Sequence, residues 1–576
     1  MSVVTAAIPR GLRLFRLLSA LLSGVLLATA FAPLGWWWMA IPAFVPLLAA
    51  VPPPRLPEQF GTGALFGYGY FACSLHWLNT VGFGAGWMLA LYCAVYPALW
   101  YCIYSRLVLG ALRDTQLPRL LVPWDEIRPG RHVLCGLSAA AAWVALEWIR
   151  GWFLTGFPWN QVGIAFANQP QLRMLASVGG IHCLSFLTLL AAYFITAAIQ
   201  RRDFRQGKAQ ARCALMLLPA LLLLAAAFAV GELLRRNTLA HYSGGEENIS
   251  VLRVAAIQGN MPVNRFWDDD TFNRYWQVYS TLSLEAMKGC GGNPPDIYLW
   301  PEGAMPSVLV YDEYSRRLRG LLSELNAPLL LGTLDERLDR EASIASGRIV
   351  GNTFNSVFLL NASSRVLYDP LAERTDYYDK IHLVPFGEYV PLRSIFPWLV
   401  DLIGMGRDLT PGNSYRLFVL GDEKIAAGVN ICFEDVFPEI SRRFTLDGAQ
   451  LLMTVTDDSW YGTSSGAAQH RNHAVMRAVE NGRCLMRSGN NSDTCLIDPT
   501  GEILEPIVNP EDGSPFATGW HCYNIPVRTR AARLTWYTRS GNIFAVACFL
   551  ALCGTLAAFH IVWRRRKILL RAAVSK

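Results

Sequence analysis

Long apolar segments dominate the first part of the chain and constrain its fold more than any other feature. A transmembrane helix needs about 20 mostly apolar residues to cross roughly 30 Å of hydrocarbon. Eight segments approach this requirement: Leu14–Phe31, Trp36–Val51, Phe60–Val81, Ala85–Leu109, Val133–Trp152, Leu172–Ile199, Ala211–Leu234 and Asn542–Trp563. The second is short, so a tilted or re-entrant course is an alternative to a full span. The sequence therefore predicts a polytopic α-helical membrane protein.

The composition changes after the seventh apolar segment. From about residue 248 to residue 539, charged residues are interspersed among short apolar runs, as in an ordinary soluble domain. We therefore predict four parts. They are an N-terminal membrane domain of about seven helices over residues 1–236, a globular domain over 249–528, a C-terminal transmembrane helix over 540–564 and a basic tail over 565–576.

The distribution of lysine and arginine predicts the orientation of these segments. Basic residues precede the first span and recur in every second loop: Arg10, Arg13, Arg16, Arg55, Arg106, Arg113, Arg119, Arg128, Arg131, Arg201, Arg202, Arg205, Lys208 and Arg212. Cytoplasmic loops carry such an excess. Both termini are therefore predicted to be cytoplasmic, with the globular domain on the outer face. Because these clusters account for much of the net charge of +7 and no nucleic-acid-binding motif accompanies them, a nucleic-acid partner is disfavoured.

The globular region alternates short aliphatic runs with amphipathic stretches. The runs read as strands bounded by Gly, Pro, Asn or Asp: Val251–Gln258, Ile297–Trp300, Pro328–Thr333, Asn352–Asn361, Ile425–Ile431 and Leu451–Thr456. Phe272–Gly289 and Glu313–Asn326 have the apolar periodicity of helices. Strands alternating with helices predict a layered α/β domain rather than a β-sandwich.

Three reactive residues follow strand-like runs of this region. Glu302 lies in Leu-Trp-Pro-Glu-Gly, Lys380 in Tyr-Asp-Lys-Ile-His-Leu, and Cys432 in Asn-Ile-Cys-Phe-Glu. A carboxylate can take the proton of a thiol, and a neighbouring cation favours the thiolate. The ammonium can also stabilise an oxyanion when a substrate carbonyl becomes tetrahedral. Together the three residues are suited to covalent acyl chemistry, although each of them alone is more often an ordinary surface or core residue.

No cofactor or metal is predicted. The 13 cysteines form no Cys-x-x-Cys pair, and His382, His470 and His473 lack the spacing of zinc ligands. The other cysteines of the globular domain, including Cys290, Cys484 and Cys495, are interpreted as packing residues.

Two charged residues, Glu147 and Arg150, lie near the outer end of the fifth apolar segment. Charged side chains close to a membrane span are costly and are often functional. Two interpretations remain open for this pair. The side chains anchor the helix at the interface, or they act at the junction between the membrane and globular domains.

The local contexts of the reactive residues carry a specific resemblance. The order Trp-Pro-Glu, Tyr-Asp-Lys-Ile-His-Leu-Val-Pro-Phe-Gly-Glu and Asn-Ile-Cys-Phe-Glu resembles the nitrilase, or carbon–nitrogen hydrolase, superfamily with its Glu–Lys–Cys triad. Further segments narrow the resemblance to the apolipoprotein N-acyltransferase family. They are Glu147–Trp159, Gln258–Asn260 with Trp267, Asp457–Gly462 and Arg487–Asn491.

This resemblance implies an αββα sandwich on the outer face of the bacterial inner membrane. Members of the family move a fatty acyl chain from a phospholipid, typically phosphatidylethanolamine. The acceptor is the α-amino group of the N-terminal diacylglyceryl-cysteine of apolipoproteins, and the transfer is the last step of lipoprotein maturation. A thioester on the nucleophile splits the transfer into two steps, which predicts ping-pong kinetics.

The resemblance also implies a role for individual residues. It makes Cys432 the nucleophile and Glu302 the general base. Lys380 and Glu388 would support the tetrahedral intermediate. Three further positions are implied near the site: Glu434 as an acidic residue beside the nucleophile, Trp267 as an aromatic residue near the lipid path, and Phe433 at a position where many members carry Tyr.

Two other functions are compatible with parts of the pattern. In a membrane-tethered nitrilase-type amide hydrolase, water instead of an amine would resolve the thioester. In a non-catalytic scaffold, the fold would persist without the chemistry. The apolar spans argue against the hydrolase, because they are explained only by a substrate in the bilayer. The intact triad with its flanking residues argues against the scaffold.

Overall fold

The computed structural model describes residues 10–112, 120–124, 127–199, 207–243, 248–263, 268–291, 294–305, 312–338, 344, 351–369, 371–398, 408–528 and 533–574. The chain forms two compact units. The first consists of Met1–Leu234 with Ser540–Lys576, and the second of Arg235–Arg539. The helices in chain order are α1 (Arg10–Ala28), α2 (Val45–Ala49), α3 (Leu56–Ser74), α4 (Ala85–Ala111), α5 (Pro129–Arg150), α6 (Pro170–Arg173), α7 (Ala176–Ile199), α8 (Gly207–Ser243), α9 (Asp269–Gly289), α10 (Asp312–Leu325), α11 (Pro438–Leu446), α12 (Gly466–Asn481), α13 (Trp536–Ser540) and α14 (Ile543–Val574).

Long apolar helices make up most of the first unit. Within the described residues, six helical segments are long and apolar enough to cross a membrane: Arg10–Ala28, Ala85–Ala111, Gly130–Arg150, Ala176–Ile199, Leu217–Tyr242 and Ile543–Val562. They correspond to six of the eight segments predicted from the sequence. The third predicted segment forms α3, which has 19 residues like α1 but contains several glycines. The protein is therefore a multi-pass membrane protein.

The glycines of α3 allow neighbouring helices to approach closely. A Cβ atom on Gly63 would lie 2.6 Å from the Cβ of Tyr101, and one on Gly67 would lie 2.8 Å from the Cα of Ala94. Both contacts are with α4. Such small residues allow the backbones of membrane helices to approach and pack. The glycines of α3 thus permit its close packing against α4.

The second predicted span is not a single helix. Trp37–Ala40 and Pro42–Phe44 form 3-10 turns, and only Val45–Ala49 is α-helical. The segment nevertheless runs back along α1. Its start is bonded to the end of α1, where the N–H of Trp36 donates to the carbonyl of Thr29. Its end is bonded near the beginning of α1, where Arg16 Nε donates to the Val51 carbonyl at 2.6 Å.

Irregular backbone at this position is stabilised by burial. The residues from Ala43 to Val51 that face other helices are almost fully buried, including Phe44, Leu47 and Val51 at 0% exposure. Non-helical backbone is tolerated at membrane depth only where protein surrounds it. The sequence leaves a full span and a tilted or re-entrant course open for this segment, and the structure shows a broken segment that returns along α1.

Glu147 and Arg150 organise a loop inside the first unit. Their exposed fractions are 5% and 2%, so the predicted anchoring at the membrane interface is wrong. Glu147 Oε1 accepts a hydrogen bond from the Val162 N–H at 2.8 Å, and Arg150 Nη1 donates to the carbonyls of Phe157 at 2.6 Å and Trp159 at 2.9 Å. Buried charges satisfied by backbone groups stabilise irregular chain. A role at the junction of the two domains stays a prediction.

The second unit contains two six-stranded mixed sheets. Its strands are β1 (Ile249–Gln258), β2 (Ile297–Met305), β3 (Leu329–Leu338), β4 (Gly351–Leu360), β5 (Tyr377–Asp379), β6 (Leu417–Leu420), β7 (Ile425–Ile431), β8 (Leu451–Thr456), β9 (Leu485–Gly489), β10 (Cys495–Ile497), β11 (Ile503–Leu504) and β12 (Gly519–Arg528). One sheet has the order β12-β1-β2-β3-β4-β5, and the other β11-β10-β9-β8-β7-β6.

Helices cover the outer face of each sheet, while the two sheets contact each other. Helix α9 packs on β1 and β2, and α11 and α12 pack on the strands of the other sheet. The apolar faces of α9 and α10 form one core with the first sheet, in which Tyr279, Trp300 and Leu318 are completely buried. Strands β2 and β8 are in contact across the sheet interface. The architecture is αββα, which confirms the predicted fold class.

A disulfide links the end of α9 to β12. Cys290 follows the last turn of α9 and is bonded to Cys522, 232 residues later in the chain. The prediction that Cys290 is a packing residue is therefore wrong. The sequence gives no spacing signal for a pair so far apart, because folding alone brings the two cysteines together. Cys484 and Cys495 are free and buried, which confirms the prediction for them.

Candidate active site

Cys432 lies in a sharp turn directly after β7, the strand next to the edge strand β6. This strand pairs with β6 on one side and with β8 on the other. The backbone of Cys432 has a φ of +51°, a left-handed conformation that is uncommon for residues with a Cβ atom. A 3-10 turn, Cys432–Val436, follows. The side chain is 8% exposed, so the turn presents the thiol in a nearly closed environment.

Glu434 holds this turn against the segment that follows β5. Its Oε2 accepts a hydrogen bond from the Ile431 N–H at 2.8 Å. Its Oε1 accepts from the N–H groups of Ile381 and His382 at 2.7 and 3.1 Å and from the Tyr378 hydroxyl at 2.9 Å. Burial raises the pKa of Glu434 to about 7, although these backbone donors act in the opposite direction. The carboxylate links two different sheets.

Glu302 is positioned on β2 by donors from three directions. Its Oε1 accepts hydrogen bonds from Asn355 Nδ2 at 2.7 Å and from Lys380 Nζ at 3.4 Å. Its Oε2 accepts from the backbone N–H of Asp457 at 2.8 Å. Because Asn355 is on β4 and Asp457 follows β8, both sheets fix the orientation of this carboxylate.

Lys380 lies immediately after β5 and is 1% exposed. Its Nζ is 2.9 Å from Glu388 Oε1 and 3.4 Å from Glu302 Oε1. Asn355 also connects this group. Its side-chain Nδ2 donates to Glu388 Oε1 at 2.8 Å, and its backbone carbonyl accepts from the backbone N–H of Lys380 at 2.8 Å. Glu388 Oε2 accepts from the Val384 N–H at 2.7 Å. The buried ammonium of Lys380 therefore forms ion pairs with two carboxylates, those of Glu388 and Glu302.

The electrostatic balance around the thiol differs from the prediction. Burial and the negative charge of Glu302 raise the pKa of Cys432 well above its usual value, and the positive charge of Lys380 only partly opposes them. The expectation that the cation maintains a thiolate is thus corrected, because desolvation outweighs it. Burial alone would lower the pKa of Lys380, but Glu388 and Glu302 raise it above its usual value. The site at rest holds a neutral thiol and a charged lysine.

The structure adds one residue that the sequence did not single out, Asn355, and bears on two that it did, Phe433 and Trp267. Asn355 bridges Glu302 and Glu388, yet an isolated Asn in a strand gives no sequence signal. Phe433 packs against Phe437 with ring centroids 5.1 Å apart, behind the turn. Trp267 lies outside the described residues. Among the residues that the structure describes, no group of three or more His, Cys, Asp or Glu side chains could hold a metal ion.

Two family models match the chain in the regions of its two units. The model of the apolipoprotein N-acyltransferase N-terminal domain matches residues 23–194, and the carbon–nitrogen hydrolase model matches residues 253–513. The second match agrees with the αββα architecture, and its range contains Glu302, Lys380 and Cys432. The chain is therefore a polytopic membrane protein that carries a carbon–nitrogen hydrolase domain.

Relatives that match most of the chain identify the family within this class of membrane proteins. The apolipoprotein N-acyltransferase of Geobacter metallireducens is 31% identical over 566 residues, which cover 96% of each chain. That of Nitrosomonas europaea is 29% identical and covers 96% of this chain and 99% of the relative. That of Pseudomonas aeruginosa is 32% identical and covers 86% and 88%. This chain belongs to the apolipoprotein N-acyltransferase family.

Proposed function

We propose that this acyltransferase takes a fatty acyl chain from a phospholipid, holds it as a thioester on Cys432 and passes it to an apolipoprotein. The acceptor is the α-amino group of the N-terminal diacylglyceryl-cysteine. The observation that carries the proposal is the clustering of the partly buried Glu302 with the buried Lys380 and Cys432 in a chain whose other unit is built from membrane helices. The names of the relatives support the acceptor class.

The first half-reaction forms the thioester. Glu302 takes the thiol proton as the Cys432 sulfur attacks the ester carbonyl of the phospholipid, because the buried thiol is neutral until the attack. The ammonium of Lys380 stabilises the oxyanion that develops on the carbonyl oxygen. The intermediate then collapses, the ester C–O bond breaks, and Glu302 returns the proton to the departing oxygen of the lysophospholipid. General base and electrostatic contributions of this kind are each worth roughly a hundredfold or more in rate.

The second half-reaction transfers the acyl group to nitrogen. A neutral α-amine attacks the thioester carbonyl, and Glu302 accepts the proton that the nitrogen loses. The C–S bond breaks, and the proton returns to the sulfur. This step releases the amide product and regenerates the free thiol. It needs no external reductant or cofactor. This order gives ping-pong kinetics, with the acyl-enzyme as the common intermediate.

The neighbouring residues position this group. Glu388 and Asn355 hold Lys380 beside Glu302, as their hydrogen bonds of 2.7–2.9 Å indicate. Glu434 fixes the turn of Cys432 relative to the Lys380 segment. These side chains are proposed as positioning residues, because none of them has to exchange a proton in either half-reaction.

A hydrolase with the same acyl-enzyme is less well supported. The triad permits water to resolve the thioester, but membrane helices and full-length similarity to N-acyltransferases favour an amine acceptor.

Phosphatidylethanolamine is proposed as the acyl donor. The Trp-rich segment Trp36–Trp38 is suited to the headgroup region of the bilayer, where aromatic residues accumulate.

We further propose that the protein resides in the bacterial inner membrane with the catalytic unit on the periplasmic side. Both termini would be cytoplasmic. The alternation of basic and uncharged loops supports this orientation. The disulfide between Cys290 and Cys522 supports it as well, since disulfides form in the periplasm and are rare in the cytoplasm.

The assay that tests the proposed function distinguishes an amine acceptor from water. Purified enzyme is mixed with phosphatidylethanolamine carrying a labelled acyl chain, with and without a synthetic diacylglyceryl-cysteine peptide. We expect labelled N-acyl peptide in the first mixture and little free fatty acid in either. Release of free fatty acid at the same rate with and without the peptide would establish the hydrolase instead.

A further inference from the structure

A buried ionic group lies beneath the turn of Cys432 and has no part in the proton transfers proposed above. It consists of Asp435 in that turn, Asp458 after β8, His470 on α12 and Arg487 on β9. All four side chains are 0% exposed. Complete burial of four ionisable groups is costly, and such a group persists only where charges pair and hydrogen bonds are satisfied.

His470 is the centre of this group. Its Nδ1 is 2.8 Å from Asp458 Oδ1, and its Nε2 is 2.9 Å from Asp435 Oδ1. Arg487 pairs with the other oxygen of Asp458. With an imidazolium at His470, the two carboxylates and the two cations sum to zero. Within these four residues, a neutral imidazole would leave one negative charge in excess.

The protonation of His470 follows from the groups that face it. Burial alone would lower its pKa, but the carboxylates of Asp435 and Asp458 outweigh burial and raise the pKa to about 9. Arg487 and His470 likewise hold the pKa of Asp458 below its usual value, against the effect of burial. The ring centroids of Tyr461 and His470 are 6.2 Å apart.

One contact connects this group directly to the nucleophile. His470 Nε2 lies 3.2 Å from the backbone carbonyl oxygen of Cys432, which accepts the hydrogen bond from its N–H. That carbonyl belongs to the residue whose φ is +51°. A left-handed conformation at a residue with a side chain persists only where its surroundings impose it. His470 therefore donates a charged hydrogen bond to the backbone carbonyl of the residue with the strained conformation.

We propose that His470, clamped between Asp435 and Asp458, is a positioning residue that holds the backbone of Cys432 in its left-handed turn and so aims the thiol at the acyl donor. This inference rests on the proposed function of Cys432 as the nucleophile. His470 itself touches neither substrate, because its two ring nitrogens are committed to Asp458 on one side and to Asp435 and the Cys432 carbonyl on the other.

The two amide replacements of His470 separate its two contacts. An Asn side chain places its amide nitrogen near the position of Nδ1 and retains a donor to Asp458, but it does not reach the Cys432 carbonyl. A Gln side chain is one methylene longer and places its nitrogen near the position of Nε2. His470→Gln should therefore conserve the positioning bond better than His470→Asn does.

The test is single-turnover acylation of the full-length enzyme by phosphatidylethanolamine, followed by intact-protein mass spectrometry. The amplitude counts competent sites, and the rate constant reports how well the thiol is aimed. His470→Asn is expected to lower the rate constant roughly 10- to 100-fold, the range for loss of a charged hydrogen bond, while the amplitude per folded molecule is conserved. His470→Gln should recover part of that loss. His473→Asn, on the same helix and equally buried, should change the rate constant by less than about twofold.

Each outcome decides between positioning and plain structural support. A wild-type rate constant in His470→Asn, or a loss confined to the amplitude, would overturn the inference, and so would an equal slowing in His473→Asn. If His470→Asn does not fold, His470→Gln carries the test. Its neutral amide is a weaker donor than the imidazolium, so its rate constant should lie measurably below that of the wild type, and an unchanged rate constant would contradict a role for the charged donor. Failure of the wild-type enzyme to form any adduct is a different result, because it removes the proposed function itself.

Discussion

At the scale of single residues, the sequence identified the reacting groups but not what holds them. Glu302, Lys380, Glu388 and Cys432 were all singled out, because each lies in a distinctive local motif. Asn355, which bridges the two carboxylates, was missed. Its contacts are created by the pairing of β4 with its neighbours, and a single Asn in a strand is compatible with many environments.

The state of the Cys432 thiol gives a prediction for pH dependence. Because its pKa is raised above the usual value, the thiolate fraction is small at neutral pH and grows about tenfold for each pH unit. In the absence of lipid, the rate of alkylation of Cys432 by iodoacetamide should therefore rise from pH 7 to pH 9 without a plateau. The rate is measured by mass spectrometry of the peptide that contains Cys432. A rate that stays constant between pH 7 and pH 9 would indicate a stored thiolate and contradict the general-base role of Glu302.

At the scale of secondary-structure elements, length and amphipathicity determined what the sequence could predict. The six predicted strands correspond to β1–β4, β7 and β8, each of which has six or more residues. Strands β5, β10 and β11 have only two or three residues each, so they give no periodic signal. Helix α12 was missed for a different reason. It is buried on nearly every side and includes His470, Arg477 and Glu480 in its interior-facing surface, so it lacks an apolar stripe.

The disulfide between α9 and β12 is a second element-scale test. Replacing Cys290 and Cys522 by serine should lower the unfolding free energy by about 2–4 kcal/mol, the usual contribution of a disulfide. The measurement is the thermal midpoint of the detergent-purified protein with and without reductant. Reductant should lower the midpoint of the wild type and leave that of the double variant unchanged. A matched pair of replacements at Cys484 and Cys495, which are free, keeps the disulfide, so reductant should lower its midpoint as it does that of the wild type.

At the scale of the whole molecule, hydropathy predicted the division into a membrane part and a globular part. It did not predict the broken course of Trp36–Val51, because the turns depend on packing against α1 and on the prolines within the segment. It also gave no measure of how closely α3 packs against its neighbours. Hydropathy averages report how apolar a segment is, whereas helix breaks and close glycine contacts depend on the partners that fold against it.

The proposed orientation can be tested with single cysteines at two exposed positions. Asp512 lies in a surface turn of the globular unit, and Gly110 lies at the end of α4 beyond Arg106. The background lacks Cys73, Cys432 and Cys553. A membrane-impermeant thiol reagent applied to intact spheroplasts should label a Cys at position 512 and not one at position 110. Labelling of position 110 alone would reverse the orientation and remove access to exported apolipoproteins.

The central claim, that Cys432 carries the acyl group, is tested most directly by intact-protein mass spectrometry after incubation with phosphatidylethanolamine and no acceptor. The wild-type enzyme should gain the mass of one acyl chain, and the chain should map to the peptide that contains Cys432. The acyl adduct on Cys432 should disappear when the diacylglyceryl-cysteine peptide is added. Cys432→Ala should show no adduct while inserting into the membrane normally. An adduct of undiminished yield in Cys432→Ala would contradict the account.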